Sequence, residues 1–219
     1  MSWLDQIYSL FGTKPGTIAT PDPTQGQVAA DPGGWAPPLV YADLVAAGIT
    51  EPRVTKFLSQ LNEAMHEFEI TTAQRAAMFL AQVTWESEDF KYMAEIWGPT
   101  AAQLGYENRH DLGNDLPGAG GPGNGRRWAG HGLLEVTGYF NHNAEATYFG
   151  IPIGQVAAWL QTPIGACRSA AHFWFVHGCN ALADAGNFSA VTKKINGGYT
   201  ALDKRLVVYQ AIAQAKGIA

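Results

Sequence analysis

Apolar residues recur with the period of an α-helix over residues 50–68, and this segment is the clearest element of the chain. Its apolar face is formed by residues at helical spacing, namely Val54, Phe57, Leu58, Leu61, Met65 and Phe68. Thr50 is the expected N-cap, and Pro52 falls in the first turn. The segment therefore predicts an amphipathic helix with one buried face.

A second helix is predicted directly after it. The sequence TTAQ places Thr71 three residues before Gln74, which is the pattern of a capping box. The helix runs through RAAMFLAQVTW and ends at Glu86. A carboxylate at a helix C-terminus is repelled by the helix dipole, so the position of Glu86 needs an explanation.

Later helices are marked by capping residues and glycines. The expected elements are a helix over residues 141–149 closed by Gly150, a helix from Thr162 and Pro163 to near Gly178, and two helices opened by Asn187 and Ala201. The segment LLEVTGYF is either a short strand or an extended segment. Residues 111–132 are rich in glycine and predict a long loop, which in a domain is usually functional or mobile. The predicted fold is mainly α.

Two regions differ in composition. Residues 1–37 contain a short apolar segment, predicted as a short amphipathic helix, and then a Pro/Gly-rich linker. Residues 38–219 are predicted to form the folded domain. The N-terminus lacks a basic start and a clear cleavage site, so no secretory signal is expected.

The composition excludes several classes of protein. The chain is 47% hydrophobic and 15% charged, which favours a folded, soluble domain. Its formal charge is −5 and it has no basic block, which argues against nucleic-acid binding. No apolar run approaches the ~18 to 20 residues of a membrane span, so no stable membrane insertion is expected.

The two cysteines are expected to be free thiols. Cys167 and Cys179 are twelve positions apart within a segment that is predicted to be one helix. Twelve residues at ~1.5 Å rise place them ~18 Å apart, too far for a disulfide. Free thiols fit synthesis in a reducing cytoplasm.

The stretch TWESEDFKYMAEIW carries the candidate chemistry. Four carboxylates, Glu86, Glu88, Asp89 and Glu95, lie among aromatic residues there. Glycoside hydrolysis requires one protonated carboxyl group as acid and a second, ionised one to activate water. A glutamate at a helix end is placed to hold its proton. On composition alone, however, exposed acids at a helix end are the commoner explanation.

Other catalytic motifs are missing from the sequence. His131 with Glu135 and His142 with Glu145 have helical spacing, but neither pair forms the H-E-x-x-H pattern, so no metal site is expected. The segment GPGNG lacks the Lys-Ser/Thr of a phosphate loop, and no serine lies in G-x-S-x-G.

Five blocks in order, from about Val40 to the end, carry a resemblance to a known family. They are AMFLAQVTWES, EIWGPTAAQLGYENRHDLGN, GHGLLEVTGYFNH, SAAHFWFVHGCNALADAGNFSAVTKKINGG and LDKRLVVY. The chain resembles glycoside hydrolase family 19, whose enzymes are chitinase-like, and in particular its branch of phage and prophage endolysins. The resemblance implies a lysozyme-like α-helical domain with a minor β or extended element and a long Gly-rich loop.

The resemblance also implies roles for individual residues. Glu86 matches the general acid, Glu95 the general base, and Thr137 a residue that helps to hold the attacking water. Arg205 matches an arginine near the base, where it would keep Glu95 ionised. Candidates for binding the glycan are Trp97, Tyr106, His131, Glu135, Asn196, Tyr199 and Arg205.

Three positions depart from the family pattern. Trp85 stands where the family has histidine, His131 where it has arginine, and Glu135 where it has glutamine. His131 would make the charge of the cleft depend on pH, and Glu135 adds a third carboxylate that either affects its neighbours or faces solvent.

The implied function is cleavage of the β-1,4 linkage between amino sugars of peptidoglycan by inversion, with the two carboxyl groups roughly 6.5 to 9.5 Å apart. Chitin is the alternative substrate, and a catalytically impaired wall-binding or structural phage module is an alternative class. The mechanism needs no metal or organic cofactor. The protein is expected to be a monomer that stays in the host cytoplasm until a separate pore admits it to the periplasm and cell wall.

Overall fold

A computed structural model describes residues 37–218, and nearly all of its regular structure is helical. The predicted N-terminal helix and linker, except Pro37, lie outside the described residues. The helices are α1 (Tyr41–Ala46), α2 (Glu51–Glu67), α3 (Ala73–Glu86), α4 (Ala101–Gly105), α5 (Asn124–Arg127), α6 (Tyr139–Phe149), α7 (Ile153–Leu160), α8 (Pro163–Val176), α9 (Cys179–Asp184), α10 (Phe188–Asn196) and α11 (Leu202–Ala215).

Helix α3 lies at the centre of the domain. Every residue from Ala76 to Thr84 is buried, as expected for a helix that is covered on all sides. α11 packs against α3, while α2 packs against α8. This packing fixes the direction of α3 and presents Glu86, its last residue, at the edge of the core.

Most predicted helix boundaries agree with the structure, but one cap is displaced by a residue. Thr72, not Thr71, is the N-cap of α3, and its hydroxyl accepts a hydrogen bond from the backbone N–H of Arg75. Gln74 then lies too early in the helix to close a capping box. Its side chain instead accepts a hydrogen bond from the hydroxyl of Tyr209 on α11 at 3.0 Å.

The two cysteines are free and buried, as predicted, but they do not share one helix. Gly178 adopts a left-handed conformation, with φ of 68°, after the end of α8. A residue in this conformation ends a helix, so Cys179 is the first residue of α9.

The predicted loop over residues 111–132 is more ordered than a structureless segment. Together with the residues before it, it contains three single 3₁₀ turns and one short helix, namely Tyr106–Asn108, His110–Leu112, Pro117–Ala119 and α5. The Glu107 carboxylate accepts hydrogen bonds from the N–H groups of Gly123 and Gly125, both at 2.7 Å. The buried Asn114 links Tyr106, Tyr139 and α5 through its amide and carbonyl groups.

The segment LLEVTGYF forms a tight turn and the start of α6, not a strand. Within the described residues, isolated β-bridges pair Ala94 with His131 and His131 with Val136. These bridges place residues 94–95, 130–131 and 135–136 side by side. They constitute the minor extended element.

Gly165 at the start of α8 should not tolerate a side chain. A Cβ there would lie 2.0 Å from the carbonyl oxygen of Trp159, which is backbone and has little freedom to move. We expect Gly165→Ala to lower the free energy of unfolding by about 2 kcal/mol or more in urea denaturation.

The matched control is Gly154→Ala within α7, where a Cβ meets no heavy atom within 4 Å. This change should be neutral or stabilising by about 0.5 to 1 kcal/mol, because alanine favours a helix over glycine. Equal stability of the two variants would contradict the close contact at Gly165.

No helix within residues 37–218 combines the length and the apolar character required to cross a bilayer.

Candidate active site

Glu86 is held by a buried arginine. Its Oε1 lies 2.5 Å from Nη2 of Arg205 on α11, whose side chain is 1% exposed, while the Glu86 side chain is 21% exposed. A cation at the C-terminal end of a helix offsets the negative end of the helix dipole. This contact explains how a carboxylate is accommodated at the end of α3.

Arg205 is fixed by a second set of contacts. Its Nη1 donates to Oε1 of Gln82 at 2.9 Å, and its Nε donates to the carbonyl of Thr200 at 3.2 Å. The Gln82 amide in turn donates to the hydroxyl of Thr192 at 2.8 Å. The guanidinium therefore has a single orientation relative to α3.

These contacts correct two expectations about Arg205. The sequence resemblance placed it near Glu95 and among the residues that bind the glycan, but in the structure it pairs with Glu86. At 1% exposure it lies beneath the surface and is positioned to orient Glu86, not to contact a substrate.

Glu95 accepts hydrogen bonds from three groups. Its Oε1 accepts from the amide of Gln103 at 2.9 Å and from the hydroxyl of Tyr106 at 3.4 Å, and its Oε2 accepts from the N–H of Gly130 at 3.1 Å. The N–H of Glu95 also donates to the carbonyl of Gly130 at 2.8 Å. Glu95 is thereby fixed to the glycine-rich segment by both its backbone and its side chain.

Glu135 is the third carboxyl group of the site. It has a positive φ of 53°, in the turn between His131 and Val136. Burial, and then the charges of Glu95 and Glu86, raise the pKa of Glu135 to about 7. Glu135 and Glu95 both lie against Gly130, and the charge of Glu86 also acts on Glu135.

Thr137 follows this turn and is half-buried. Its hydroxyl donates to the carbonyl of Glu135 at 2.7 Å, which uses its only proton. The oxygen remains free to accept, so Thr137 is able to hold a water molecule that donates to it.

His131 is buried beneath the turn and not exposed in a groove. It is 8% exposed, and its Nδ1 lies 2.9 Å from Nε2 of His142. His142 Nδ1 lies 2.8 Å from the carbonyl of Gly138, which only accepts, so Nδ1 carries the proton and Nε2 accepts from His131.

The charge of this histidine pair differs from the sequence expectation. Burial lowers the pKa of His131, and it lowers the pKa of His142 to about 4. Both rings are therefore neutral near pH 7. The pH-dependent charge expected of His131 is found instead at Glu135, and the structure gives His131 the role of supporting the turn.

The other predicted binding residues divide into two groups. The rings of Trp97 and Tyr106 lie 6.4 Å apart, and Tyr106 also contacts Glu95. These two aromatic side chains therefore border the carboxyl cluster, by which we mean Glu86, Glu95 and Glu135. Tyr199 is 56% exposed and has the Lys193 ammonium 5.8 Å from its ring. Asn196 is half-buried at the C-terminal end of α10, three positions before Tyr199.

Sequence reasoning missed two glutamines that support the site. Gln103 binds Glu95, and Gln82 binds Arg205. Gln103 also accepts from the N–H of Thr100 as part of a capping box, and the sequence TAAQ carries that signal. No local pattern marks Gln82, because its partner is 123 positions away in the chain.

Among residues 37–218 there is no group of three or more His, Cys, Asp or Glu side chains arranged to hold a metal ion.

The protein is thus a helical domain with a group of carboxyl residues, Glu86, Glu95 and Glu135, near the end of its central helix α3. No family model matches the chain. A curated protein of Haemophilus influenzae, named a glycosyl hydrolase family 19 domain-containing protein, is 33% identical over 109 residues, which is 49% of this chain and 49% of that protein. The chain thus matches about half the length of this relative.

Solved structures have the same fold. Chitinase C from Streptomyces griseus superimposes with a TM-score of 0.63 at 20% identity, over 84% of this chain and 78% of that one. A bacterial family 19 chitinase superimposes with a TM-score of 0.52 at 19% identity, over 83% and 88% of the two chains. The comparisons confirm the resemblance to glycoside hydrolase family 19, over about half of the chain, and the predicted mainly α fold. The endolysin branch of this resemblance stays a prediction.

Proposed function

We propose that the protein is a glycoside hydrolase that cleaves the β-1,4 linkage between amino sugars of peptidoglycan, in the manner of an endolysin. The observation that carries this proposal is that Glu86 and Glu95, each held by its own donors, both act on Glu135 through their charges. An inverting glycosidase requires two carboxyl groups with different roles.

In this mechanism Glu86 is the general acid and Glu95 the general base. Glu86, whose Oε1 is held by Arg205, takes up a proton on Oε2 and gives it to the glycosidic oxygen as the bond from that oxygen to the anomeric carbon breaks. Water attacks the same carbon from the opposite face and gives a proton to Glu95. Thr137 accepts the water's second hydrogen bond, because its own proton is held by the carbonyl of Glu135.

Supporting side chains set this geometry. Arg205 orients Glu86, while Gln103 and the N–H of Gly130 orient Glu95. The exposed glycan chain would lie along Trp97, Tyr106, Asn196 and Tyr199, where aromatic rings offer apolar faces to sugars. The proposed enzyme acts as a monomer and remains in the host cytoplasm until a separate pore admits it to the periplasm and cell wall.

Chitin is the second candidate substrate. The specific observation in its favour is that the solved structures with the same fold are chitinases. The five sequence blocks that resemble endolysins favour peptidoglycan.

The test compares two polymers with one protein. Purified Gram-negative sacculi and colloidal chitin are incubated with the full chain, and the soluble products are analysed by mass spectrometry. We expect soluble fragments from sacculi, with new reducing ends whose sugar identifies the bond. NMR of the first product should show the α-anomer, because inversion at a β-linkage produces it.

Each other outcome has a distinct meaning. Products from chitin alone would replace the endolysin proposal by a chitinase. Binding to sacculi without products, by a protein whose circular dichroism shows folded helix, would support the wall-binding module and contradict the enzyme.

A further inference from the structure

We propose that Glu135 is a positioning residue that works as a neutral carboxylic acid, donating a hydrogen bond within the carboxyl cluster, and that turnover falls when Glu135 ionises. This inference rests on the proposed function, because it assigns a role at the same site. Glu135 acts through Glu86, Glu95 and the water between them, and it takes no part in bond breaking.

The three carboxyl groups differ in the donors that they receive. Arg205 donates to Glu86, and three donors converge on Glu95. No side chain or backbone group within residues 37–218 donates a hydrogen bond to the carboxyl group of Glu135. Donors stabilise the charged form of a carboxylate, so Glu135 is the member of the cluster that lacks this stabilisation.

The surroundings of Glu135 hold it in the cluster. A Cβ at Gly130 would lie 2.1 Å from Oε2 of Glu135 and 3.2 Å from its Cβ, so the side chain lies directly on the bare face of this glycine. The same glycine donates its N–H to Glu95. Thr137 fixes the turn by bonding to the carbonyl of Glu135. Gly130 therefore contacts both carboxyl groups: its N–H donates to Glu95, and its Cα lies against Glu135.

The charged groups around Glu135 oppose its ionisation. The charge of Glu86, at the end of α3 and paired with Arg205, and the charge of Glu95, in the segment after α3, both act on Glu135. Tyr106 approaches from the 3₁₀ turn, and neutral His131 forms the base of its own turn.

Burial acts in the same direction as these charges. It is the largest cause that raises the pKa of Glu135 to about 7, ahead of the charges of Glu95 and Glu86. The neutral form is therefore substantially populated at neutral pH.

The neutral acid and the carboxylate have different chemistry. A protonated carboxyl group has one O–H donor, whereas the ionised group only accepts. A carboxylic acid that stays neutral in an apolar site serves as a hydrogen-bond donor to a nearby oxygen. Ionisation of Glu135 removes this donor and adds a negative charge beside the acid and the base.

The first experiment measures pH profiles of kcat and KM for wild type and Glu135→Gln on a soluble glycan fragment. Glutamine has the same size and is a neutral donor at every pH. We expect wild-type kcat to fall as pH rises through about 7. Above that pH the fall should be about tenfold per pH unit for each group that ionises, whereas Glu135→Gln should keep only the alkaline fall that the general acid Glu86 causes. KM should change little in either protein.

Two further variants make the test specific. Glu135→Ala keeps no donor and should be slow at every pH. Because alanine also loses the contact with Gly130, the pH profile of Glu135→Gln is the readout that separates a donor role from a structural one. Glu88→Gln, an exposed site two positions after Glu86, should have the wild-type profile. The same alkaline fall in Glu135→Gln as in wild type, or loss of activity in Glu135→Gln at every pH, would overturn the proposal.

A second experiment does not depend on activity. The side-chain carboxyl carbons of ¹³C-labelled full-length protein are followed by NMR as pH is raised. We expect one glutamate to titrate near 7 in wild type and this transition to be missing in Glu135→Gln. No such transition in wild type would overturn the inference even if the protein cleaves glycans. Inactivity on every glycan with the transition present would contradict the proposed function and the effect on turnover, while the neutral form of Glu135 would stand.

Discussion

Glu86→Gln should reduce kcat by about 10³-fold, the loss expected when a general acid is removed. The amide has the shape of the carboxyl group and still accepts a hydrogen bond from Arg205 through its oxygen, but it has no proton to give to the leaving oxygen. The fold should be unchanged. The rate is measured as new reducing ends released from a soluble glycan, and the helix content by circular dichroism.

The leaving group provides a sharper readout of the same variant. In a dinitrophenyl glycoside the leaving group is dinitrophenolate, which departs without help from an acid. With this substrate the loss of kcat in Glu86→Gln should shrink to less than about tenfold. Glu88→Gln is the matched control, since the side chain of Glu88 is exposed and close in sequence. If Glu86→Gln retained the activity of this control, the acid would have to be another carboxyl group, and Glu135 would be the first to test.

Arg205→Met should lower the free energy of unfolding by about 3 to 5 kcal/mol, as when one partner of a buried ion pair is removed. The change leaves Glu86 without its cation and Gln82 without its donor. Arg205 itself is only 1% exposed, so water cannot easily replace it. Arg205→Lys should lower the free energy of unfolding by less, because lysine keeps the charge. Some loss should remain, because lysine cannot reproduce the three directed hydrogen bonds. Urea denaturation at pH 7 measures both.

Arg109→Met is the control for this effect. Arg109 and Asp111 form an ion pair in which the side chains are 46% and 63% exposed, so its loss should leave the free energy of unfolding nearly unchanged. In the Glu86→Gln background, Arg205→Met should cost less than it does in wild type, because a neutral amide does not need a cation. Equal costs in the two backgrounds would show that the Glu86 contact contributes nothing to the role of Arg205.

Local patterns were sufficient to predict most of the helices. Thr50, Thr162, Asn187 and Ala201 are N-caps in the structure, as their neighbours in sequence indicated. The short helices α1, α4, α5 and α7 were missed. α1 and α7 begin after Val40 and Pro152, which offer no side-chain oxygen to cap a helix, whereas α4 does begin with a capping box.

The candidate site was predictable only in part, because its members come from distant parts of the chain. The resemblance indicated Glu86 and Glu95, but the partner of Arg205 depends on how α11 packs against α3, and the two paired residues are 119 positions apart. His131 was expected in the groove because it stands where the family pattern has arginine, yet its bond to His142 holds it inside. No sequence rule specifies such contacts.

The carboxyl cluster also affects how strongly the domain resists unfolding. In the unfolded chain Glu135 loses its proton near the ordinary glutamate pKa of 4.5, whereas in the folded domain its pKa is about 7. Its contribution to stability is therefore full below 4.5, declines as the pH rises, and is lost above about 7. Above that pH the folded domain confines a charge that an unfolded chain would hydrate. The rest of the fold must supply the free energy that keeps three acids together.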